Sequence, residues 1–560
     1  FFEFVRAELK KIDPDAQIGL SGTQAPHPYN GHDVWLRCRT FDGLWSYGGR
    51  EQYIMHREWG RRRKAGWFDF PWRGYVGVGP QVDASHWMSA LNQSTGAGYW
   101  WYLNVLNPDW RLSKSGEWTD RATRELREGL GKLIHACDLT VAPVALHYSQ
   151  ASCRGSYARG NLQGWNNARA AWSKILMGLG LQHTFLSYDQ LEKGELTFPK
   201  TRLLILPYSV AMSEAEVNAV REFVKAGGYV IADVQTAVMD EHCRERNEGA
   251  LDDVFGMKRM DGGTGHVAGE AKLNAPAWGL EGADLRCKLE EPSLTLKGGQ
   301  ALLAGASAPG VIVNKHGAGR TIYLGFGMAR YIDMAPRQEG AAMRQMLAAI
   351  LREAGVQWPV MVREGKDALN PPEVEVYHYA LGEQEFLGLF PTNAKEGVNL
   401  KVTVSLASPR LARELRSGRD LGRVARFDVE LTAPYAQFFS LLPSAVKSVS
   451  AEAPAKVKLG QPVNVSLAVA TEDGKPGMRV VRVTVKDPAG ERVVRWESNE
   501  TLTDGRGAKT LNLALNDPAG RYVVSARDVA SGVTCERAFV AEPAERLSRE
   551  GEAEKYPPAV

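Results

Sequence analysis

The sequence predicts a multidomain α/β and β protein, in which a partial (β/α)8 barrel is followed by a doubly wound α/β domain and two β-sandwich domains. Three observations lead to this fold class. Short aromatic strands alternate with helix-compatible segments over residues 1–136, and longer apolar strands alternate with amphipathic helices over residues 137–356. From residue 357 the helical period gives way to short alternating runs separated by polar turns. Because 560 residues exceed one hydrophobic core, several domains are expected.

The barrel prediction rests on residues 65–103. Two aromatic runs, AGWFDFPWRGYVGV and GAGYWWYL, flank the segment QVDASHWMSALNQST, which is the order of a strand, a crossover helix and the next parallel strand. Upstream, AQIGLSGTQ and FDGLWSYGG predict two more strands, with helices over residues 30–40 and 50–64. A helix over residues 119–136, with Thr119 as its N-cap, closes the region. These four units make half of an eight-stranded barrel, so we expect the other half either before Phe1 or from another chain.

The candidate site lies at the C-terminal ends of these strands, where β/α barrels carry their chemistry. Asp69 is the candidate catalytic residue. The candidate substrate-binding residues are polar and aromatic side chains at or near the same strand ends: Gln24, Tyr47, Trp67, Trp72, Trp100, Trp101 and Asn104. Most of the 15 tryptophans precede residue 173, and indole rings stack on sugar faces while polar groups bind the hydroxyls. The alternative for each tryptophan is a place in a tryptophan-rich core.

The role of Asp69 has three open interpretations. It is a nucleophile, an acceptor for a sugar hydroxyl, or a carboxylate that caps the end of its strand. Glu51 and Glu58, which lie beyond the FDGLWSYGG strand, are weaker candidates because a helical glutamate usually faces solvent.

Residues 137–356 are predicted to form the doubly wound α/β domain. Strands are predicted in LTVAPVALHYS, LQHTFLSY, TRLLILPYS and GGYVIAD, and helices over residues 166–178 and 213–226. Ser213 and Glu216 have the spacing of a capping box, and Gly227 ends the same helix. A hairpin in APGVIVNKHGAGRTIYLGFGM and an amphipathic helix in GAAMRQMLAAILREAGV complete the domain.

The remaining chain is predicted to be β-rich. Residues 357–444 form a small β-sandwich domain, and residues 445–543, with about seven strands and repeated DPAG turns, form an immunoglobulin-like domain. Residues 544–560 are a charged tail that we expect to be disordered. The six cysteines have no metal-ligand spacing, so neither a metal nor a cofactor is predicted.

Two regions of the chain resemble a known family. LLILPYSVAMSEAEVNAVREFVKAGGYVIAD, with HGAGRTIYLGFG, resembles the trimerisation domain of the family 42 β-galactosidases, a flavodoxin-like relative of the class I glutamine amidotransferases. AQIGLSGTQ and GAGYWWYL resemble the second half of the same enzymes' barrel. The resemblance implies a homotrimer and a retaining, two-carboxylate glycoside hydrolase. It places the acid/base glutamate before Phe1 and the nucleophile glutamate within WFDFPW, where this sequence has Asp69.

Two hypotheses for the function therefore follow. The first is a hydrolase that cleaves a β-linked glycoside of an oligo- or polysaccharide. The second is a catalytically inactive carbohydrate-binding or trimeric assembly protein on the same scaffold. An amidotransferase would need a nucleophilic cysteine on a tight turn, and Cys243 beside His242 lies instead in a charged stretch, so we interpret this domain as scaffold.

The sequence indicates little about binding partners or about the cellular compartment. The net charge of +3 gives no sign of a nucleic-acid partner, and no apolar run has the roughly 20 residues of a membrane span. The chain starts inside an amphipathic helix without Met or a signal peptide, which predicts a fragment or a processed product. A periplasmic or extracellular location is compatible with this pattern, and the sequence leaves the compartment open.

Overall fold

The fold is described from a computed structural model. The residues that it describes are 1–23, 25–29, 32–46, 49–61, 66–69, 77–97, 104–259, 271–278, 280–285, 289–291, 293–304, 309–335, 338–365, 369–391 and 395–544.

The front of the chain alternates strands and helices, as predicted. Its elements are α1 (Phe2–Ile12), β1 (Gly19–Thr23), α2 (Val34–Thr40), β2 (Gly43–Ser46), α3 (Arg50–Arg61), β3 (Gly66–Asp69), α4 (Pro80–Leu91), β4 (Gly96–Ala97), α5 (Lys114–Glu125) and α6 (Gly131–Ala136). The four strands form one parallel sheet in the order β1-β2-β3-β4, so neighbours in the sequence are neighbours in the sheet. All four C-terminal ends therefore share one edge of the sheet.

The predicted start of the helix that closes this region was wrong. We expected Thr119 as the N-cap, but the helix begins at Lys114 and Thr119 is buried within it. Ser113 is the N-cap because its Oγ accepts a hydrogen bond from the backbone N–H of Gly116 at 3.0 Å. A π-helical segment, Leu126–Leu130, then connects α5 to α6.

The middle of the chain forms a doubly wound α/β fold. Its elements are β5 (Asp138–Leu139), β6 (Val144–Tyr148), α7 (Gln150–Ala158), α8 (Leu162–Gly178), β7 (Thr184–Ser187), α9 (Tyr188–Glu192), β8 (Leu203–Leu206), α10 (Glu214–Lys225), β9 (Tyr229–Ala232), β10 (Met257–Lys258), β11 (Ala271–Ala275), β12 (Leu280–Leu285), β13 (Thr295–Leu296), β14 (Gln300–Ala301), β15 (Leu303–Ala304), β16 (Val311–His316), β17 (Gly319–Leu324), α11 (Tyr331–Met334) and α12 (Gln338–Glu353). The main sheet has the order β14-β16-β17-β9-β8-β6-β7, and its parallel part, β7-β6-β8-β9-β17, has the flavodoxin order.

The capping box predicted for α10 is confirmed. The backbone N–H of Glu216 donates to Ser213 Oγ at 3.2 Å, and the backbone N–H of Ser213 donates to Glu216 Oε2 at 2.7 Å. Gly227, with φ of +115°, follows the C-terminus of the helix and supplies the left-handed conformation that ends it.

The end of the chain is β-rich, as predicted. Its strands are β18 (Met361–Arg363), β19 (Glu375–Leu381), β20 (Gln384–Phe390), β21 (Asn399–Glu414), β22 (Asp420–Thr432), β23 (Gln437–Leu442), β24 (Val446–Glu452), β25 (Lys456–Lys458), β26 (Pro462–Thr471), β27 (Arg479–Lys486), β28 (Ser498–Leu502), β29 (Arg506–Asn512), β30 (Gly520–Asp528) and β31 (Thr534–Glu542). In place of the two sheets of the β-sandwich predicted for residues 357–444, the described strands β18 to β23 form one sheet. β5, which the sequence places in the α/β domain, joins this sheet by pairing with β19. β24 to β31 form two sheets that enclose a separate apolar core.

A buried arginine connects the front region to the α/β domain. The side chain of Arg57, on α3, is 1% exposed. Its Nη1 donates to Asn92 Oδ1 at 3.1 Å and to Gln182 Oε1 at 3.3 Å, so one guanidinium joins the end of α4 to the segment before β7. A buried charge needs such partners, because desolvating it without them is costly.

The same chain of hydrogen bonds continues into the C-terminal sheet. Asn92 Nδ2 donates to the hydroxyl of Tyr377 at 3.1 Å, and that hydroxyl donates to Glu375 Oε2 at 2.8 Å. Arg50, at the start of α3, pairs with the same carboxylate. We name this set, from Arg57 through Asn92 and Tyr377 to Glu375 and Arg50, the junction network. It fixes the front region against both later domains.

We expect Tyr377→Phe to lower the free energy of unfolding by about 1 to 3 kcal/mol, because Glu375 and Asn92 would each lose a buried partner. Urea unfolding monitored by circular dichroism measures the change. Tyr229→Phe is the matched control, since no hydrogen bond to its hydroxyl is found within the described residues; it should shift stability by less than about 0.5 kcal/mol. Equal losses in both variants would contradict a role for the junction network.

Candidate functional site

The C-terminal edge of the four-stranded sheet is the first candidate site. Thr23 pairs with Ser46, Ser46 with Asp69, and Asp69 with Ala97. These residues end β1, β2, β3 and β4, so they form one row across the sheet, which we name the candidate edge. Asp69 is the only carboxylate residue in this row.

The structure places only part of the predicted site. The predicted residues outside the described part of the chain are Gln24, Tyr47, Trp72, Trp100 and Trp101. Trp67 and Asp69 lie on β3, where the backbone alone is described. Asn104 is partly buried, and its carbonyl accepts a hydrogen bond from Ser113 Oγ at 2.5 Å. The register thus brings Asp69 beside Ser46, which directly precedes Tyr47.

For the clustered tryptophans that lie on helices, the alternative of a tryptophan-rich core is borne out. Of the tryptophans before residue 173, those buried in the hydrophobic core are Trp35, Trp59, Trp87, Trp165 and Trp172. They lie on α2, α3, α4 and α8, whose apolar faces pack inward, and not at strand ends. For these residues the tryptophan-rich core is the correct interpretation.

The two weaker carboxylate candidates have different surroundings. Glu58 is partly buried, and its Oε1 accepts a hydrogen bond from Nε of buried Arg57 at 2.7 Å, which gives it a structural role. Glu51 lies in the first turn of α3, which follows the C-terminal end of β2. Burial lowers the pKa of Arg169, and the negative charge of nearby Glu51 opposes this shift. Glu51 thus has a charge partner in buried Arg169 of α8, and only its place in the chain, after β2, relates it to the candidate edge.

A buried serine, histidine and glutamate lie together at the C-terminal end of the α/β sheet. His147 Nδ1 is 2.9 Å from Ser209 Oγ, and His147 Nε2 is 2.8 Å from Glu216 Oε1. This is the order of contacts found in catalytic triads. All three residues are at most 1% exposed, and the other oxygen of Glu216 caps α10, so the set stabilises the fold, and Ser209 and His147 are closed to a substrate.

The turn after β9 has the strained backbone that an amidotransferase uses to present its cysteine nucleophile, but residues 233–238 include no cysteine. Gln235 has φ of +60° and Ala237 has φ of +54°. Gln235 Oε1 accepts a hydrogen bond from Arg159 Nη1 at 2.7 Å. Cys243 is elsewhere: its Sγ contacts the carbonyl of Ala151 at 3.4 Å, and burial raises the pKa of its thiol. Both observations agree with the scaffold interpretation.

A cavity of about 360 Å³, which the sequence did not predict, lies between the front region and the α/β domain. We name it the junction cavity. Pro28, His32, Asp33 and Leu36 line one side. The other side is lined by residues of α7, α9 and α10 and by Glu241: Gln150, Ala151, Arg154, Tyr188, Glu192, Glu216 and Glu241. Burial raises the pKa of Asp33, and a hydrogen bond from the hydroxyl of Tyr188 at 2.9 Å opposes the shift.

The multidomain fold of this chain is similar to that of β-galactosidases of known structure. The family model for the β-galactosidase trimerisation domain matches residues 180–357, where the sequence predicted it. The resemblance to family 42 is thereby confirmed for this region. No curated protein matches the sequence significantly.

Solved structures of β-galactosidases share the fold at low sequence identity. The enzyme from Bacillus circulans sp. alkalophilus matches 79% of this chain with a TM-score of 0.59 and 15% identity. A catalytic mutant of a GH42 β-galactosidase from G. stearothermophilus matches 79% with a TM-score of 0.56 and 14% identity. The β-galactosidase from Rahnella sp. R3 matches 78% with a TM-score of 0.55 and 17% identity. This chain covers 66%, 66% and 65% of those structures, slightly less than two thirds of their length.

In the described part of the chain, no helix is both long and apolar enough to span a bilayer.

We expect Ser209 to resist a fluorophosphonate probe in the native protein, because Ser209 and His147 are buried. Mass spectrometry of tryptic peptides detects the adduct, and trypsin treated in parallel shows that the reagent is active. An adduct on Ser209 of the folded protein would show that this set is open to substrates.

Proposed function

We propose that this protein is a β-galactosidase-like glycoside hydrolase that cleaves a β-linked glycoside with retention of configuration. The observation that carries the proposal is the candidate edge, where Asp69 lies in register with the ends of three neighbouring parallel strands. In this proposal the four strand and helix units are half of a (β/α)8 barrel, whose C-terminal strand ends form the active-site face. The shared fold of the β-galactosidases supports this assignment.

The proposed chemistry uses two carboxyl groups. Asp69 attacks the anomeric carbon, the glycosidic bond breaks, and a second, protonated carboxyl group gives its proton to the leaving oxygen. Water then attacks the covalent glycosyl ester, and the second carboxylate takes the proton from that water. The carboxyl groups must lie about 5 to 5.5 Å apart for this reaction. The proposal assigns Asp69 as the nucleophile, and Glu51 is the next candidate for that role.

The proposed substrate contacts come from residues at or just beyond the strand ends. They are Gln24, Tyr47, Trp67, Trp72, Trp100, Trp101 and Asn104. Amide and phenol groups bind sugar hydroxyls, and indole rings bind the C–H faces. An oligo- or polysaccharide with a β-linked terminal unit is the substrate class that fits these groups.

We expect a 2-deoxy-2-fluoro β-galactoside with a good leaving group to label Asp69, because the fluorine slows hydrolysis of the glycosyl ester. Peptide mapping locates the label. Asp69→Asn should lower turnover of an aryl β-galactoside by at least about a thousandfold, since an amide is not a competent nucleophile. Asp420→Asn, which changes an exposed aspartate remote in sequence, should leave turnover unchanged. A label on another residue would remove Asp69 from the mechanism.

The second candidate function is a catalytically inactive carbohydrate-binding or assembly protein. The inactive function is favoured because Asp69 stands where the family pattern has glutamate, and its shorter side chain extends less far towards the anomeric carbon of a bound sugar. Binding of a β-galactoside without label and without turnover would select this function over hydrolysis.

We also propose that the chain is a homotrimer with divisions at residues 1–136, 137–356, 357–444, 445–543 and 544–560. The match of residues 180–357 to a trimerisation domain supports the assembly. We expect multi-angle light scattering to give about three times the chain mass at micromolar concentration. A single chain mass under the same conditions would exclude the trimer, and it would leave the assignment of Asp69 intact.

A further inference from the structure

We infer that the junction cavity is a second saccharide-binding site, separate from the candidate edge. It would bind a neutral oligosaccharide, with one ring stacked on the exposed aromatic side chains beside the cavity and its hydroxyls bound by the polar wall. This inference does not depend on hydrolysis at Asp69, and it applies equally to a protein that only binds carbohydrate.

An exposed aromatic pair lies next to residues of the cavity wall. Tyr29 and Tyr157 are 49% and 43% exposed, and their rings meet edge to face, with centroids 4.9 Å apart at 79°. His27 adds a third ring, 6.4 Å from that of Tyr157, and its carbonyl accepts a hydrogen bond at 2.9 Å from Gln150, which lines the cavity. An exposed ring that is held by an edge-to-face neighbour presents one fixed apolar face, and the C–H face of a sugar ring fits such a surface.

These rings are connected directly to the cavity wall. Pro28, which lines the cavity, stands between His27 and Tyr29 in the chain. Arg154 also lines it and precedes Tyr157 by three residues on α7, so the two side chains share one face of that helix. A ligand that stacks on the rings can therefore place its hydroxyl groups inside the cavity.

The wall offers a free donor group. Arg154 is exposed, and within the described residues its guanidinium forms no hydrogen bond or ion pair. Arg154 and Tyr188 line the same cavity; burial raises the pKa of Tyr188, and the positive charge of Arg154 opposes that shift. Five N–H donors in a planar fork can bind two hydroxyls of one sugar ring.

Four carboxylates line the wall: Asp33 and Glu216 are engaged within the protein, whereas Glu192 and the exposed Glu241 keep acceptor oxygens. Asp33 accepts hydrogen bonds from two backbone N–H groups of α2 and from Tyr188, and both oxygens of Glu216 are used by His147 and Ser213. Glu192 uses one oxygen for Ser213 Oγ and keeps the other as an acceptor.

The charged groups of the wall indicate which class of ligand would bind. The carboxylates would repel phosphate or another anion, and Arg154 would repel a cation. A neutral polyol can instead accept hydrogen bonds from Arg154 and donate to the free carboxylate oxygens. The volume of about 360 Å³ is at the small end of ligand pockets, which suits one or two sugar units. The cavity also lies outside the carboxyl ends of β6 and β7, where doubly wound folds bind their ligands.

Hydrogen–deuterium exchange of the whole chain tests the inference with lactose, cellobiose and xylobiose as probes. At least one of these sugars should slow exchange in residues 25–29 and 150–158. Tyr157→Ala and Arg154→Ala should each weaken binding of that sugar about tenfold or more in a calorimetric titration. Tyr157→Phe should keep the affinity, because the ring remains.

Matched controls separate this site from general effects. Phe4→Ala removes another exposed aromatic ring and Arg521→Ala another exposed arginine, and both should leave the affinity unchanged. Asp69→Asn should preserve the protection at residues 150–158, which separates this inference from the proposed hydrolysis. No protection by any sugar, protection that survives both alanine variants, or protection by inorganic phosphate or putrescine alone would each overturn it. Circular dichroism confirms that each variant is folded.

Discussion

The junction network is the constraint on which the rest of the structure depends. A sheet of four parallel strands with helices around it buries little surface alone, and here it is held by Arg57, Asn92 and Tyr377 against two other domains. A buried network whose groups have partners specifies one arrangement, because any displacement leaves a charge or an amide unpaired in a low dielectric. The orientation of the candidate edge relative to the α/β domain follows from this network.

The same junction produces a second consequence. Because α3 and α4 are fixed against the α/β domain, Pro28, His32 and Asp33 lie opposite α7 and α9, which follow the carboxyl ends of β6 and β7, and the junction cavity is the space between them. A second hydrogen-bonded link supports this placement, since the indole of Trp35 donates to Asp189 at 3.1 Å. Both proposed sites thus include residues at or after the end of β1: Thr23 in the candidate edge and Asp33 in the wall of the junction cavity.

Local patterns predicted the elements well, and long-range packing decided what the sequence could not show. The period of the strands, the capping box at Ser213 and the loss of helical period after residue 357 are local signals, and each was confirmed. Ser113 and Thr119 are both good N-caps by residue type, and only the packing of α5 selects the first. The junction cavity was out of reach because its residues are distant in the sequence and are brought together only by the contact between domains.

The exchange of glutamate for aspartate at the candidate edge has a geometric consequence for the proposed hydrolysis. Aspartate is one methylene shorter, so the anomeric carbon must come closer to the end of β3. The residues in register with Asp69 are Ser46 and Ala97, both of them small by residue type. For the proposed hydrolysis, the sugar would therefore bind closer to the sheet than it would with a glutamate nucleophile at the same position.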